Sequence, residues 1–132
     1  MFKFFTTLSE EKTKNISPVT LAFVGDAVYT LYVREKLVAE HDFSTGTLQK
    51  LSSSEVSAHG QSVLLDRILP LLSEEELAIF KRGRNAKKPT RSKNATVAEY
   101  NNSTGFEALL GYLYLTGKYD RIDELLSDKN EN

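Results

Sequence analysis

Two carboxylates stand where carboxylates are costly. Asp26 lies inside the apolar run Leu21-Ala22-Phe23-Val24-Gly25-Asp26-Ala27-Val28, and Glu107 lies inside Ser103-Thr104-Gly105-Phe106-Glu107-Ala108-Leu109-Leu110-Gly111. Most other acids fall in first helical turns, near helix ends or in the tail. An unpaired carboxylate in apolar surroundings is unfavourable unless it is hydrogen-bonded, paired or bound to a metal. Each of the two has small residues one turn away on its own face: Ala22 and Thr30 for Asp26, Ser103 and Gly111 for Glu107. Gly25, Gly105 and Gly111 are mid-helix glycines, each about 1 kcal/mol worse there than alanine. Small faces let helices approach closely, so the expectation is two helices that meet with Asp26 and Glu107 facing one another. Two facing acids with no available base repel, and a divalent cation is their natural partner. Carboxylate oxygens suit Mg²⁺ or Mn²⁺. The residues alone leave structural readings open: Asp26 as an exposed acid, or as the partner of Arg34 or Arg67.

A second concentration of chemistry is basic. Lys81, Arg82, Arg84, Lys87, Lys88, Arg91 and Lys93 lie within one short segment, and no acid occurs from Leu77 through Ala98. The net charge of −1 therefore divides into +7 on Lys81–Lys93 and −8 on the rest of the chain. A charge run of this kind is commonly a solvated loop. Here Arg is mixed with Lys, and guanidinium forks match phosphate oxygens. Gly83, Asn85 and Pro89 suggest a shaped loop rather than a helix face. A phosphate-rich partner is the expectation, with the acidic body limiting indiscriminate binding. A cation on the two acids would activate water and stabilise the leaving oxygen of a phosphodiester, while this loop holds the flanking phosphates.

The elements that must position these groups read as helices throughout. Ser17-Pro18 opens one that runs to about Ala39, with Leu21, Val24, Val28, Leu31 and Tyr32 at helical spacing. Ser44–Leu51 and Ser54–Leu69 are expected as the next two, the latter stopped at Pro70. Ser73 with Glu76 forms a capping box for a helix through about Lys81, and Thr96 with Glu99 forms another for a helix ending near Gly117. Tyr119–Leu126 closes the series. No stretch alternates as a strand would, and the fold class is all-α, in one domain of 132 residues.

The composition narrows the chemistry further. There is no cysteine, which excludes disulfides, thiolate-bound zinc, iron–sulfur clusters and a thiol nucleophile, and fits a reducing cytoplasm. His41 and His59 are too few and too far apart for a His-rich metal site and are expected on ordinary surfaces. The first residues lack the apolar core of a signal peptide. The longest apolar stretch, Ala108–Leu115, is eight residues, whereas a membrane span needs about 20. The expected location is cytoplasmic, with no membrane partner.

With these residues in view, the sequence resembles ribonuclease III. That family's signature helix carries a Phe-Leu-Gly-Asp-Ala core, matched by Phe23-Val24-Gly25-Asp26-Ala27. Its second catalytic helix carries Phe-Glu-Ala-Leu-Ile-Gly, matched by Phe106-Glu107-Ala108-Leu109-Leu110-Gly111. The basic segment Lys81-Arg82-Gly83-Arg84-Asn85-Ala86-Lys87 lies between them. The similarity is closer to Mini-III, the short bacterial branch without a double-stranded-RNA-binding domain, and covers roughly residues 16–127. It implies a single ribonuclease III-type catalytic domain over 1–132, with a polar tail at 128–132. The departures are Ala22, Val19 and Thr104, where full-length ribonuclease III carries acids. Mini-III proteins look similarly reduced.

The resemblance implies a metal-dependent endoribonuclease acting on double-stranded RNA, its substrate the base-paired stem joining the ends of the 23S ribosomal RNA precursor. Asp26 and Glu107 would be the catalytic and metal-binding residues, holding Mg²⁺ with Mn²⁺ able to substitute, and products would carry 5′-phosphate and 3′-hydroxyl ends. With two carboxylates, most ligands of the cation must be water or RNA oxygens, and Ser103 and Thr104 are candidates to orient such waters. Lys81, Arg82, Arg84, Asn85, Lys87, Lys88, Arg91 and Lys93 would read A-form phosphates and shape, since no separate RNA-binding domain is expected at this length. Phe23 matches an aromatic residue at the family's dimer interface, and a two-fold homodimer would cut both strands of a duplex. A ribosomal protein stands as an assisting partner to be tested. The rival readings are a non-catalytic double-stranded-RNA-binding or ribosome-assembly protein on the same fold, and a helical protein-interaction module.

Overall fold

Sequence-local capping sets where most helices begin. The computed structural model describes residues 6–88 and 96–127, and every regular element among them is helical. The order is α1 (Glu10–Lys14), α2 (Pro18–Glu40), α3 (Thr45–Val56), α4 (Ala58–Ile68), a 3₁₀ turn (Leu69–Leu71), α5 (Glu74–Asn85), α6 (Val97–Leu115) and α7 (Tyr119–Leu126). Both expected capping boxes are present: Ser73 with Glu76 opens α5, and Thr96 with Glu99 opens α6. The first five residues, the stretch 89–95 and the tail 128–132 lie outside the described residues.

The core is arranged around α6. Phe106, Ala108, Leu109, Leu110, Tyr112 and Leu113 are each at most 1 % exposed, and a helix that is apolar all round must be covered all round. α2 and α5 supply the two largest contacts, with α4, α7 and α1 completing the wrap. The α2–α6 crossing is closer than ordinary side chains permit. A Cβ on Gly25 would stand 1.7 Å from the carbonyl oxygen of Glu107, and one on Gly111 would stand 2.0 Å from that of Leu21. The glycines that weaken each helix in isolation are thus what lets the two backbones touch. The α5–α6 contact repeats the device with Gly83 and Gly105. Tyr29 meets Phe106 edge-on, ring centroids 5.1 Å apart, next to the crossing.

Three boundaries differ from the sequence reading, each for a local reason. α1 was not expected, although Ser9 caps it by accepting from the Lys12 N–H and Glu10 and Glu11 occupy its first turn. The break expected between Ser44–Leu51 and Ser54–Leu69 falls instead at Ser57, so α3 runs on to Val56 and the second expected helix is divided. Ser57 is extended (φ −62°, ψ 159°), ends α3, and caps α4 through the Gly60 N–H. α5 runs to Asn85 rather than stopping near Lys81, because Gly83 is still packed against α6. The basic segment therefore begins as a helix end, not as a loop. Among the described residues no helix is long and apolar enough to cross a membrane.

Candidate functional site

The α2–α6 crossing brings the two unusual acids together. Gly25 abuts the backbone of Glu107, which sets the neighbouring Asp26 carboxyl close enough for its charge to act on the Glu107 carboxyl. Asp26 is exposed and Glu107 is half-buried. Burial, and then the negative charge of Asp26, push the Glu107 carboxyl up to about 8, against an N–H from Gln61 that favours its ionised form. No ion pair joins Asp26 to Arg34 or Arg67 among the described residues, and Arg67 instead donates to the carbonyl of Ser127 at 2.9 Å.

The third member of this cluster was absent from the sequence reading. Gln61 is 2 % exposed, and its Nε2 donates to Glu107 Oε2 at 3.0 Å and to the carbonyl of Val56 at 2.9 Å. A signal for it existed. Gln61, Leu65 and Ile68 fall on one buried face of α4, so an amide occupies a position patterned for an apolar residue. Ser103 and Thr104 are both buried on α6. Both hydroxyls donate back to the carbonyl of Tyr100, at 2.8 and 3.1 Å, as buried residues within their own helix do.

The donor set fits a hard divalent cation. It consists of carboxylate oxygens with no cationic side chain paired to them among the described residues, and the repulsion of the pair when both are ionised is the unfavourable feature a cation removes. No group of three or more His, Cys, Asp or Glu occurs among the described residues, so water or substrate oxygens would complete the coordination. Mg²⁺ commonly binds through one or two carboxylates and keeps its waters. His41 stacks on Phe43 with centroids 4.5 Å apart, and exposed His59 places Nδ1 2.7 Å from Glu99 Oε2. Neither belongs to the carboxylate pair.

The basic segment approaches the same helix from the other side. Gly83 packs on Thr104, Gly105 and Ala108, which brackets Glu107 with the end of α5. Its charges are not equally free. Arg82 donates to the carbonyl of Lys14 at 2.9 Å, and Arg84 lies over the Phe80 ring at 5.8 Å and donates to Asn85 Oδ1. Lys88 donates to the carbonyl of Arg84 at 2.7 Å, and burial lowers its ammonium pKa. Lys81 and Lys87 are exposed. Arg91 and Lys93 lie outside the described residues. On α2, Phe23 and Leu31 are 80 % and 56 % exposed, and with Ala27 they form an apolar stripe at four-residue spacing.

Comparison with known proteins places this arrangement in a family. A model of the ribonuclease III domain matches residues 19–118. The Mini-ribonuclease 3 of Thermoanaerobacter sp. (strain X514) is 47 % identical over 119 residues, covering 90 % of this chain and 84 % of that protein. The Mini-ribonuclease 3 of Brevibacillus brevis is 45 % identical over 120 residues, covering 89 % and 90 %. A crystal structure of a Fusobacterium nucleatum protein has a TM-score of 0.77 at 34 % identity, covering 85 % of this chain and 89 % of that one. Agreement of this extent in both sequence and helical fold establishes that the chain belongs to the ribonuclease III family.

Proposed function

We propose that this protein is a Mini-III-type endoribonuclease that cuts double-stranded RNA with a divalent cation held by Asp26 and Glu107. The observation that carries the reading is the carboxylate pair: two acids brought together at a glycine-notched crossing, with no base to neutralise them among the described residues, in a chain of the ribonuclease III family. Mg²⁺ is the proposed cation and Mn²⁺ a substitute. When bound it would lower the pKa of water and stabilise charge at the phosphodiester, leaving 5′-phosphate and 3′-hydroxyl ends. The chain's own part is to hold Asp26 and Glu107 at one place on a rigid crossing, and to fix Glu107 through Gln61.

Lys81, Arg82, Arg84, Asn85, Lys87, Lys88, Arg91 and Lys93 are the proposed phosphate contacts. The exposed Lys81 and Lys87 are the freest of those described, and Arg82 keeps an exposed guanidinium. Such contacts recognise A-form shape and phosphates more than sequence. The exposed stripe of Phe23, Ala27 and Leu31 supports a homodimer in which each chain contributes one acidic pair. The proposed substrate is the stem of the 23S ribosomal RNA precursor, in the cytoplasm, and whether a ribosomal protein assists is open to the same assay.

The test uses a long RNA duplex with Mg²⁺ or with EDTA. Cleavage that requires the cation and disappears in Asp26→Asn, with duplex binding kept, is the expected result. Intact RNA under both Mg²⁺ and Mn²⁺ overturns it in favour of a non-catalytic RNA-binding protein on this fold. A second variant addresses the basic segment. Arg82→Glu with Lys87→Glu should weaken duplex binding about tenfold or more in a titration, with a reduced salt dependence and the melting temperature little changed. Unchanged binding removes the segment from the RNA interface.

A further inference from the structure

We propose that Gln61 is the positioning residue of the carboxylate site, fixing Glu107 with an uncharged donor so that the pair's negative charge stays available to a cation. This rests on the reading of Asp26 and Glu107 as cation ligands. The geometry is specific. The two hydrogens of one amide nitrogen go to different elements, the carbonyl of Val56 at 2.9 Å and Oε2 of Glu107 at 3.0 Å. Val56 is the last residue of α3, and its carbonyl is beyond the helix's own ladder and free to accept. The amide is thus anchored on the α3–α4 corner and aimed at the carboxyl. Because the carbonyl of Val56 can only accept, the amide orientation is determined: turned over, the Gln61 carbonyl oxygen would face it.

The choice of side chain also favours a site. The Gln61 Oε1 is buried and has no hydrogen-bond partner, an uncommon condition in a core. Leu65 and Ile68, on the same face of α4, show what stability alone places there. A lysine or arginine at this position would hold Glu107 equally well, but would neutralise the pair and compete with a cation. An acid would add to the repulsion. An amide donates without net charge, and groups that orient a ligand in this way carry a large part of a metal site's affinity.

Only two glutamines occur in the chain, Gln49 and Gln61, so glutamine-selective nitrogen labelling yields two side-chain amide signals, assigned with Gln49→Ala. In a Mg²⁺ titration of the RNA-free protein, the Gln61 pair should move with the same midpoint as the backbone amides of Asp26 and Glu107. Movement of those amides with a stationary Gln61 signal overturns this inference and leaves the cation site standing. No movement anywhere overturns the cation site and the inference with it. In parallel, Gln61→Met should weaken Mg²⁺ affinity per folded molecule about tenfold. Its cleavage rate at saturating RNA should fall while duplex affinity stays within about twofold. A lowered melting temperature with unchanged Mg²⁺ affinity reduces Gln61 to a structural residue.

Discussion

Glu76 and Glu107 are both glutamates drawn toward the helical core, and their carboxyls shift in opposite directions. At Glu76 burial raises the pKa, but the Arg121 guanidinium and the backbone N–H of Ser73 more than reverse it and hold the carboxyl below its ordinary range. Arg121 binds both oxygens, Nε to Oε2 and Nη2 to Oε1, each at 2.8 Å, and its Nη2 also donates to the carbonyl of Leu71. Glu76 is simultaneously the closing residue of the α5 capping box. Its charge is consumed by architecture. At Glu107 burial is reinforced by Asp26, and the single donor is an amide. Its carboxyl is left without a counter-charge among the described residues. A fold therefore marks a ligand site less by burying an acid than by withholding the base that would complete it.

The sharpest way to break this contrast is to neutralise each acid in turn. Glu107→Gln should reduce cleavage by about a thousandfold or more while its melting temperature in EDTA is equal to or above that of the parent, because burial already favours an uncharged side chain there. A large loss of stability with activity retained would show Glu107 to be structural. Next in size is the crossing itself. Gly25→Ala inserts a methyl group into the Glu107 carbonyl and should destabilise by about 3 kcal/mol or more, read as a melting temperature lower by roughly 10 °C. Gly46, in the first turn of α3, has open space where its Cβ would stand and is the control, and Gly46→Ala should leave the melting temperature equal or slightly higher.

Glu76→Gln should then give the reverse of Glu107→Gln: a loss of about 2 kcal/mol of unfolding free energy, read from a lowered urea midpoint, with cleavage per folded molecule unchanged. The smallest effect is its pH dependence. The Glu76 pKa is lower folded than unfolded, so the unfolded chain binds more protons in acid. The stability it contributes is full above the ordinary value near 4.5 and is lost as pH falls through the depressed one. The advantage of the parent over Glu76→Gln should therefore shrink on acidification, measured as the difference between their urea midpoints from pH 6 downward. A difference that stays constant would mean that the ion pair is not what holds Glu76.

Much of this was legible because it is local. Capping boxes involve four consecutive residues, and both were present as read. The meeting of Asp26 with Glu107 was legible for a different reason: mid-helix glycines are unfavourable in isolation, so their presence beside each acid reported a close crossing before any contact was known. What escaped was set by competition between elements. Ser54–Leu69 has the pattern of a single helix, and only the fit of the Gly60 turn against Ser54 and Glu55 shows why it breaks at Ser57. The basic segment reads as a loop from its composition, but packing of Gly83 under α6 extends α5 through its first residues, to Asn85.

The amino-acid sequence by itself determined the helical class, the caps, the two acids set in apolar helical runs and the uneven distribution of charge, since each depends on residue type and short-range spacing. Tertiary structure decided which charges are free. Arg121 neutralises Glu76 from 45 positions away, and Gln61 meets Glu107 across 46. Neither pairing follows from composition or period. Coulombic and hydrogen-bond energies act through space over a few ångströms, and only the folded chain brings such distant residues that close.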